Sequence, residues 1–181
     1  MIESVYWKSA LLAQARAIKA HQRYKRWSEK QLVLLEREIM IAFFCIRSLI
    51  ERKKITDNLT KKRIPVVAYP IRLGKGAHLL NRCDFEELYH MESPVERELH
   101  LEFLSNQIIH SYVIFAQRDR QKKKFSDLLV CSNYERNRQL FQVAIKELIA
   151  VMREVAKNYP THAEYLYDER IRDYCVTATK A

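Results

Sequence analysis

The chain has 181 residues, of which 48% are apolar, and this is enough for one domain, residues 1–181, with a full-sized core. Its formal net charge is +10, which points toward an anionic partner, although a basic helical face that is simply exposed to water explains the charge equally well. It has only two glycines and four scattered cysteines without a CxxC pair, which argues against a Rossmann-type fold, a zinc ribbon, a redox motif and a disulfide framework.

The first predicted element is a helix over residues 5–23, apolar on one side and strongly basic on the other. Its basic residues include Arg16, Lys19 and Arg23. A short link leads to the next helix, so we expect an antiparallel helical hairpin. Residues 1–63 hold 15 lysines and arginines but six acidic residues, and so carry +9 of the net charge.

A long helix over residues 27–54 is the central element. Ser28 and Gln31 predict a capping box at its start, and Trp27 and Leu32 can close a hydrophobic staple. Apolar residues at helical spacing follow along one face: Leu32, Leu35, Ile39, Phe43, Ile46 and Ile50. Residues 39–46 are apolar all the way round, so we expect other elements to cover this stretch from several directions, with Phe43 and Ile46 buried. The apolar run is too short to span a membrane.

The middle of the chain is predicted from its prolines. Pro65 and Pro70 interrupt the apolar residues 64–71, which favours an edge strand or an extended crossing segment. Ser93, Pro94 and Glu96 have the pattern of a helix start, and we predict a helix over about 94–107.

The second half of the chain alternates between strand and helix patterns. Residues 108–117 and 125–132 favour strands, 138–143 a third strand, 144–158 an amphipathic helix, and 164–179 a terminal hairpin. The sequence therefore predicts an α+β fold. Its N-terminal helical hairpin and long buried central helix would pack on a small, mostly antiparallel sheet, with a further amphipathic helix.

Several short segments resemble a family of bacterial hypothetical proteins of similar length. The segments are Val5-Tyr6-Trp7-Lys8, Arg26-Trp27-Ser28-Glu29, the run from Phe43 to Glu51, Ala68-Tyr69-Pro70, the run from Ser105 to Tyr112, Tyr159-Pro160-Thr161-His162 and Asp173-Tyr174-Cys175-Val176-Thr177. The resemblance covers nearly the whole chain. It implies a bacterial cytosolic protein and carries over no activity. The N-terminus also lacks a signal-peptide pattern, which again indicates a cytoplasmic protein without membrane attachment.

Three residues are candidates for catalysis. Arg72 and His78 have the spacing of the arginine–histidine pair of HEPN ribonucleases, but Gly74, Gly76 and a nearby proline argue against the helix that carries that pair. His110 could act as a base on a strand, although such a histidine is more often a hydrogen-bonded structural residue. Acidic residues are present, but Glu135-Arg136-Asn137 fails the Glu-x-Lys pattern of a metal-dependent nuclease.

Metal and cofactor sites find little support in the sequence. His78, Cys83 and His90 lie within a short span, but no fourth ligand accompanies them, and a packed cysteine with two surface histidines explains the same residues. The Gly-Lys-Gly segment 74–76 could approach a phosphate closely, yet it is not a Walker A motif. We therefore expect no metal and no cofactor.

The most concrete functional feature is a basic loop, residues 118–124, between two predicted strands. One acidic residue accompanies its five cations, Arg118, Arg120, Lys122, Lys123 and Lys124. Such a loop can bind phosphates, but it also discourages edge pairing of strands. Aromatic residues could add base stacking, and the candidates are Tyr112, Phe115, Phe125 and Tyr134.

Three functions remain open. A non-catalytic protein that binds RNA or single-stranded DNA leads, with contacts from the basic loop and from Arg16, Lys19 and Arg23. The alternative is an interaction subunit, which would use the N-terminal helices and the tyrosine-rich tail. It would be an accessory subunit of a larger bacterial complex, a homodimer, or the partner of an acidic protein. A small nuclease is third. An exposed apolar patch would favour the interaction subunit, and a pocket that gathers Arg72, His78, His110 and a carboxylate would favour the nuclease.

Overall fold

The computed structural model describes residues 3–22, 28–119 and 124–180. The helices are α1 Ser4–His21, α2 Glu29–Glu51, α3 Asp57–Thr60, α4 Phe85–Leu88, α5 Leu101–Ile109 and α6 Ile145–Lys157. The strands are β1 Arg63–Pro70, β2 Val95–His100, β3 Ser111–Arg118, β4 Phe125–Ser132, β5 Gln139–Ala144, β6 His162–Asp168 and β7 Asp173–Thr179. The fold is α+β, as the sequence predicts.

The start of α2 is closed by the expected capping box. The Ser28 hydroxyl accepts from the Gln31 N–H at 3.3 Å, and the Gln31 side chain accepts from the Ser28 N–H at 2.9 Å. Two of the helix's free N–H groups are thus satisfied. Trp27, the other half of the predicted staple, lies outside the described residues.

The side chains of α2 are buried on one part of the helix circumference and exposed on the rest. Phe43 and Ile46 are fully buried, as expected, in the main core with α1, α5 and α6. As predicted, other elements contact α2 from several directions, namely α1, α5, α6 and β3. They do not cover it all the way round, because Met40, Ile41 and Phe44 remain exposed. Apolar composition shows what a helix could bury, but the number of neighbouring elements decides how much of it is buried.

The helices α1, α2, α5 and α6 lie on one face of a five-stranded sheet. α5 and α6 pack directly on the strands, α2 packs on α5 and β3, and α1 packs across α2 and α6. α1 and α2 are antiparallel, because the Cys45 thiol near the end of α2 donates to the Trp7 carbonyl near the start of α1, at 3.5 Å. The predicted helical hairpin is confirmed.

The sheet has the order β2-β1-β5-β4-β3, and each neighbouring pair is antiparallel. The strand β1 is therefore an interior strand, and its prediction as an edge strand or crossing segment is wrong. β2 pairs with residues 63–68 of β1, whereas β5 pairs with residues 67–70. Pro65 and Pro70 thus each lie where β1 has a paired neighbour on one side only, which explains how an interior strand tolerates two prolines.

The predicted helix over 94–107 is wrong in its first half. Residues 95–100 form β2, and the helix α5 begins only at Leu101. Six residues of β1 pair with β2, from Arg63 opposite His100 to Ala68 opposite Val95. This ladder satisfies more backbone groups than the predicted first helical turn, so the tertiary partner overrides the capping pattern.

The second face of the sheet has a core of its own. Tyr69, Tyr89, Leu129, Cys131 and Leu140 pack there with residues from the segment 71–91. β6 and β7 form a separate two-stranded sheet at the end of the chain, which confirms the terminal hairpin. Within the described ranges, no helix is long and apolar enough to cross a membrane.

Candidate nucleic-acid interface

The end of α1 lies against the base of the basic loop. The Gln22 side chain, one residue after α1, donates to the Phe125 carbonyl at the start of β4, at 3.4 Å. The loop is closed by the Asp119 N–H, which donates to the Lys124 carbonyl at 2.9 Å. This relationship brings together two basic segments that are about a hundred residues apart in the chain.

Several cations are exposed at this place. Arg16 and Lys19 are exposed on α1 and, being three residues apart, share one face of the helix. Arg118 and Lys124 are exposed at the two ends of the loop. We call the surface formed by Arg16, Lys19, Arg118, Lys124 and Lys146 the basic end.

Lys146 was missed by the analysis of the sequence. It lies in the first turn of α6, and its side chain is 81% exposed. It belongs to the same end of the sheet because Ala144 pairs with Asp127, two residues after Phe125. Its signal in the sequence is weak, since a lone lysine at the start of a helix is unremarkable until the strand register is known.

Four predicted contact residues, Arg23, Arg120, Lys122 and Lys123, lie outside the described residues. Their charges are known from the sequence, and the chain leaves the described structure at Gln22 and Asp119, which both adjoin the start of β4.

Acidic groups offset the basic end only in part. Asp119 belongs to the loop, and Glu147 lies 3.8 Å from the Lys146 ammonium. Burial lowers the pKa of His21, in the last turn of α1, while the Glu38 carboxylate acts in the opposite direction. The lowered pKa favours the neutral form of the His21 ring.

A groove of about 620 Å³ on the second face of the sheet has a different character. Four carboxylates outnumber three cations along it: Glu96, Glu98, Asp127 and Glu147, with Arg63, Arg97 and Lys146. A phosphate backbone would be repelled by the acidic part of this groove. The basic end is thus the better phosphate surface of the two.

Comparison of the chain with protein-family models, with curated proteins and with solved structures finds no match.

The predicted stacking residues do not line the basic end. Phe125 is 1% exposed and belongs to the core. Tyr112 and Tyr134 lie toward the opposite end of the sheet, where Ser111 pairs with Ser132, and they hold the guanidinium groups of Arg136 and Arg138. Phe115 packs edge-to-face on Phe85. Among the described residues, the basic end therefore offers cations, which suit phosphates, and none of the predicted stacking rings.

Arg72, the first catalytic candidate, belongs to a polar cluster at the surface. Its guanidinium contacts Glu92 at 2.8 Å and the His90 ring at 3.3 Å, and it donates to the Glu86 carbonyl. The hydrogen bond from His90, followed by those from the backbone and from Arg72, lowers the pKa of Glu92 to about 2. These contacts hold the segment 71–92 together. The Arg72 guanidinium is occupied by Glu86, His90 and Glu92 and does not contact His78 or His110.

The two candidate histidines lie elsewhere. The His78 side chain is exposed and accepts from the Leu80 N–H at 3.2 Å, within a local turn. His110 is exposed at the end of α5, and the groove that it lines contains neither Arg72 nor His78. Among the described residues, no group of three or more His, Cys, Asp or Glu side chains is placed to hold a metal ion.

Proposed function

We propose that this protein is a non-catalytic nucleic-acid-binding protein that holds RNA or single-stranded DNA by its phosphates, in a bacterial cytoplasm. The observation that carries the proposal is the contact between Gln22 and Phe125. It joins the basic end of α1 to the basic loop, so that one strand of nucleic acid can contact both.

Binding through phosphates has two physical consequences. It is independent of sequence, because phosphates are the same at every nucleotide. It also releases condensed counterions, so that the affinity falls steeply with salt, by about 0.7 in the log–log slope for each phosphate contact on a single strand. The absence of stacking residues from the described part of the interface makes this salt dependence the main signature.

The experiment is a salt titration of the binding of a single-stranded RNA of mixed sequence. Replacing Lys122, Lys123 and Lys124 by Ala should weaken binding and flatten the log–log slope by about two units, if all three contact phosphate. The matched control replaces three exposed cations away from the basic end, Lys75, Arg82 and Arg138, by Ala. It removes the same charge and should leave the slope nearly unchanged.

Three results would overturn the proposal. The first is no binding of RNA or single-stranded DNA by the wild type at low salt. The second is an equal loss of RNA affinity in the loop variant and in the control variant, which would indicate an effect of net charge alone. The third is cleavage of RNA or DNA, with magnesium or manganese present, that is abolished by His78→Ala. That last result would restore the nuclease hypothesis.

A further inference from the structure

The terminal hairpin projects from the rest of the protein as an arm, which we define as β6, β7 and the turn between them. Its base is held on α3, where the Ala178 N–H donates to the Asp57 carboxylate at 3.1 Å. Burial opposes ionisation of Asp57, but hydrogen bonds from Lys53 and from this N–H lower its pKa. From Ala178 toward the turn, the arm is exposed except for Val176, which is partly buried. Every residue of β6 is exposed except Asp168, which is partly buried.

The two faces of the arm differ in chemistry. The strand register places six apolar or aromatic residues on one face: Ala163, Tyr165, Tyr167, Tyr174, Val176 and Ala178. Ala178 is buried against the body, but Tyr165, Tyr167 and Tyr174 are 68%, 51% and 57% exposed. An antiparallel sheet with one apolar face normally has that face covered, and a lone two-stranded hairpin is only marginally stable in water.

An apolar groove begins where the arm is attached. Val176 at the base of the arm lines a cavity with Phe103 and Asn106 of α5. The same two α5 residues line a groove of about 850 Å³ that continues to α2. There Phe44 is 56% exposed, and Tyr134 beside it is 70% exposed. The chain thus carries two uncovered apolar surfaces, the aromatic face of the arm and this groove.

We propose that a second copy of the chain covers both surfaces, with the arm of each protomer lying in the groove of the other. The groove starts at the base of the protomer's own arm, so a twofold axis beside that base brings the arm of each protomer close to the groove of the other. The interface is then isologous and closed, as in most homodimers. The twofold arrangement leaves neither apolar surface uncovered, which favours a second copy over an unrelated partner.

Size and charge agree with this arrangement. The arm contributes three exposed tyrosines, and the groove contributes three exposed aromatic residues, Phe44, Phe103 and Tyr134. Covering these six rings on both protomers removes on the order of 1,500 Å² from water, at about 120 Å² for each ring. This matches a standard stable interface. The arm residues 162–175 carry four carboxylates and two arginines. In the groove Arg47 is already paired with Glu51 and Glu102, and Arg52 also lines it. The acidic arm can therefore meet the Arg52 cation of the partner's groove.

The test measures the mass of the full chain in solution by light scattering coupled to size exclusion. Nuclease treatment and about 0.5 M salt remove bound nucleic acid, which could otherwise bridge two chains. At about 100 µM the wild type should have the mass of two chains, since interfaces of this size bind in the micromolar range or tighter. Tyr165→Glu on the arm and Phe44→Glu in the groove should each give a monomer, because a carboxylate would be buried in the interface.

Two controls make the assignment specific. Leu166→Glu changes an equally exposed neighbour of Tyr165 on the opposite face of the arm, and Val33→Glu changes an exposed residue of α2 that lies eleven residues, or about 16 Å, before Phe44. Both should remain dimeric. All four positions are exposed, so the circular dichroism spectrum and melting of monomeric variants at low concentration should match those of the diluted wild type.

Any of four outcomes would overturn the proposal. They are a monomeric wild type, a dimer that survives Tyr165→Glu or Phe44→Glu, a dimer lost in either control, and variants that become monomeric only because they unfold. None of them affects RNA binding by the basic end, which the loop variant tests separately.

Discussion

The Lys8 ammonium donates to the Asn158 carbonyl at 2.5 Å and to the Lys54 carbonyl at 2.7 Å. Asn158 is the C-cap of α6, and Lys54 follows the end of α2. Helix C-termini carry partial negative charge, so one cation from α1 binds the ends of two helices. The Tyr159 ring lies 3.7 Å from the same nitrogen and adds a cation–π contact. Lys8 is 1% exposed and joins the three helices at this point.

The substitution Lys8→Met should therefore destabilise the protein. Methionine retains the apolar stem, but the two carbonyls lose their donor, which costs about 1–3 kcal/mol. Urea unfolding at neutral pH measures the change. Lys19→Met, at an exposed position of the same helix, should stay within about 0.5 kcal/mol of the wild type. A Lys8→Met variant as stable as the wild type would contradict this prediction. It would show that the two hydrogen bonds stabilise the protein by no more than the burial of the charge destabilises it.

Lys8 should also make the free energy of unfolding depend on pH in the alkaline range. Burial, and to a lesser extent the charge of Lys54, lowers the pKa of Lys8 to about 8, whereas an unfolded lysine titrates near 10.4. Between these values the unfolded state binds more protons, so the contribution of Lys8 to the free energy of unfolding rises with pH. The difference between wild type and Lys8→Met should grow by about 1–2 kcal/mol from about pH 7.5 to about pH 9.5. A difference that shrinks would mean that the carbonyls and the ring raise this pKa instead.

Two isoleucines of α2 test which face of the helix is buried. Ile46 is fully buried and Ile41 is 47% exposed, although both lie in the same apolar run. Ile46→Ala should lower the free energy of unfolding by about 2–5 kcal/mol, because it removes methyl groups from the core and leaves a cavity. Ile41→Ala should cost less than about 1 kcal/mol. Chemical unfolding of the two variants checks the prediction, and similar losses would contradict the one-sided burial of α2.

The α1 part of the basic end can be tested without the loop. Replacing Arg16 and Lys19 by Ala removes two exposed cations and should flatten the salt slope of RNA binding by about 1.4 units, if both contact phosphate. The double variant Lys75→Ala, Arg82→Ala is the control of equal charge. A loop variant that loses binding while this α1 variant does not would show that the strand contacts the loop alone.

Local patterns in the sequence determined the position and type of those helices and strands whose signals lie within a few residues of one another. The capping box of Ser28 and Gln31 predicts the start of α2, and the spacing of apolar residues predicts α6. The strand β4 is predicted by its apolar residues Phe125, Leu128, Leu129 and Val130. These signals are reliable because a cap, an amphipathic helical face and a run of strand-forming residues depend on neighbours within a few positions.

The tertiary structure decided what those elements contact. Residues 95–100 become a strand because β1 offers a backbone partner, and Phe44 stays exposed because no described element reaches that side of α2. Gln22 meets Phe125 across about a hundred residues, which assembles the basic end. The sequence determined the residues of each surface and their charge. Their proximity depends on long-range pairing and packing, which a local pattern does not encode.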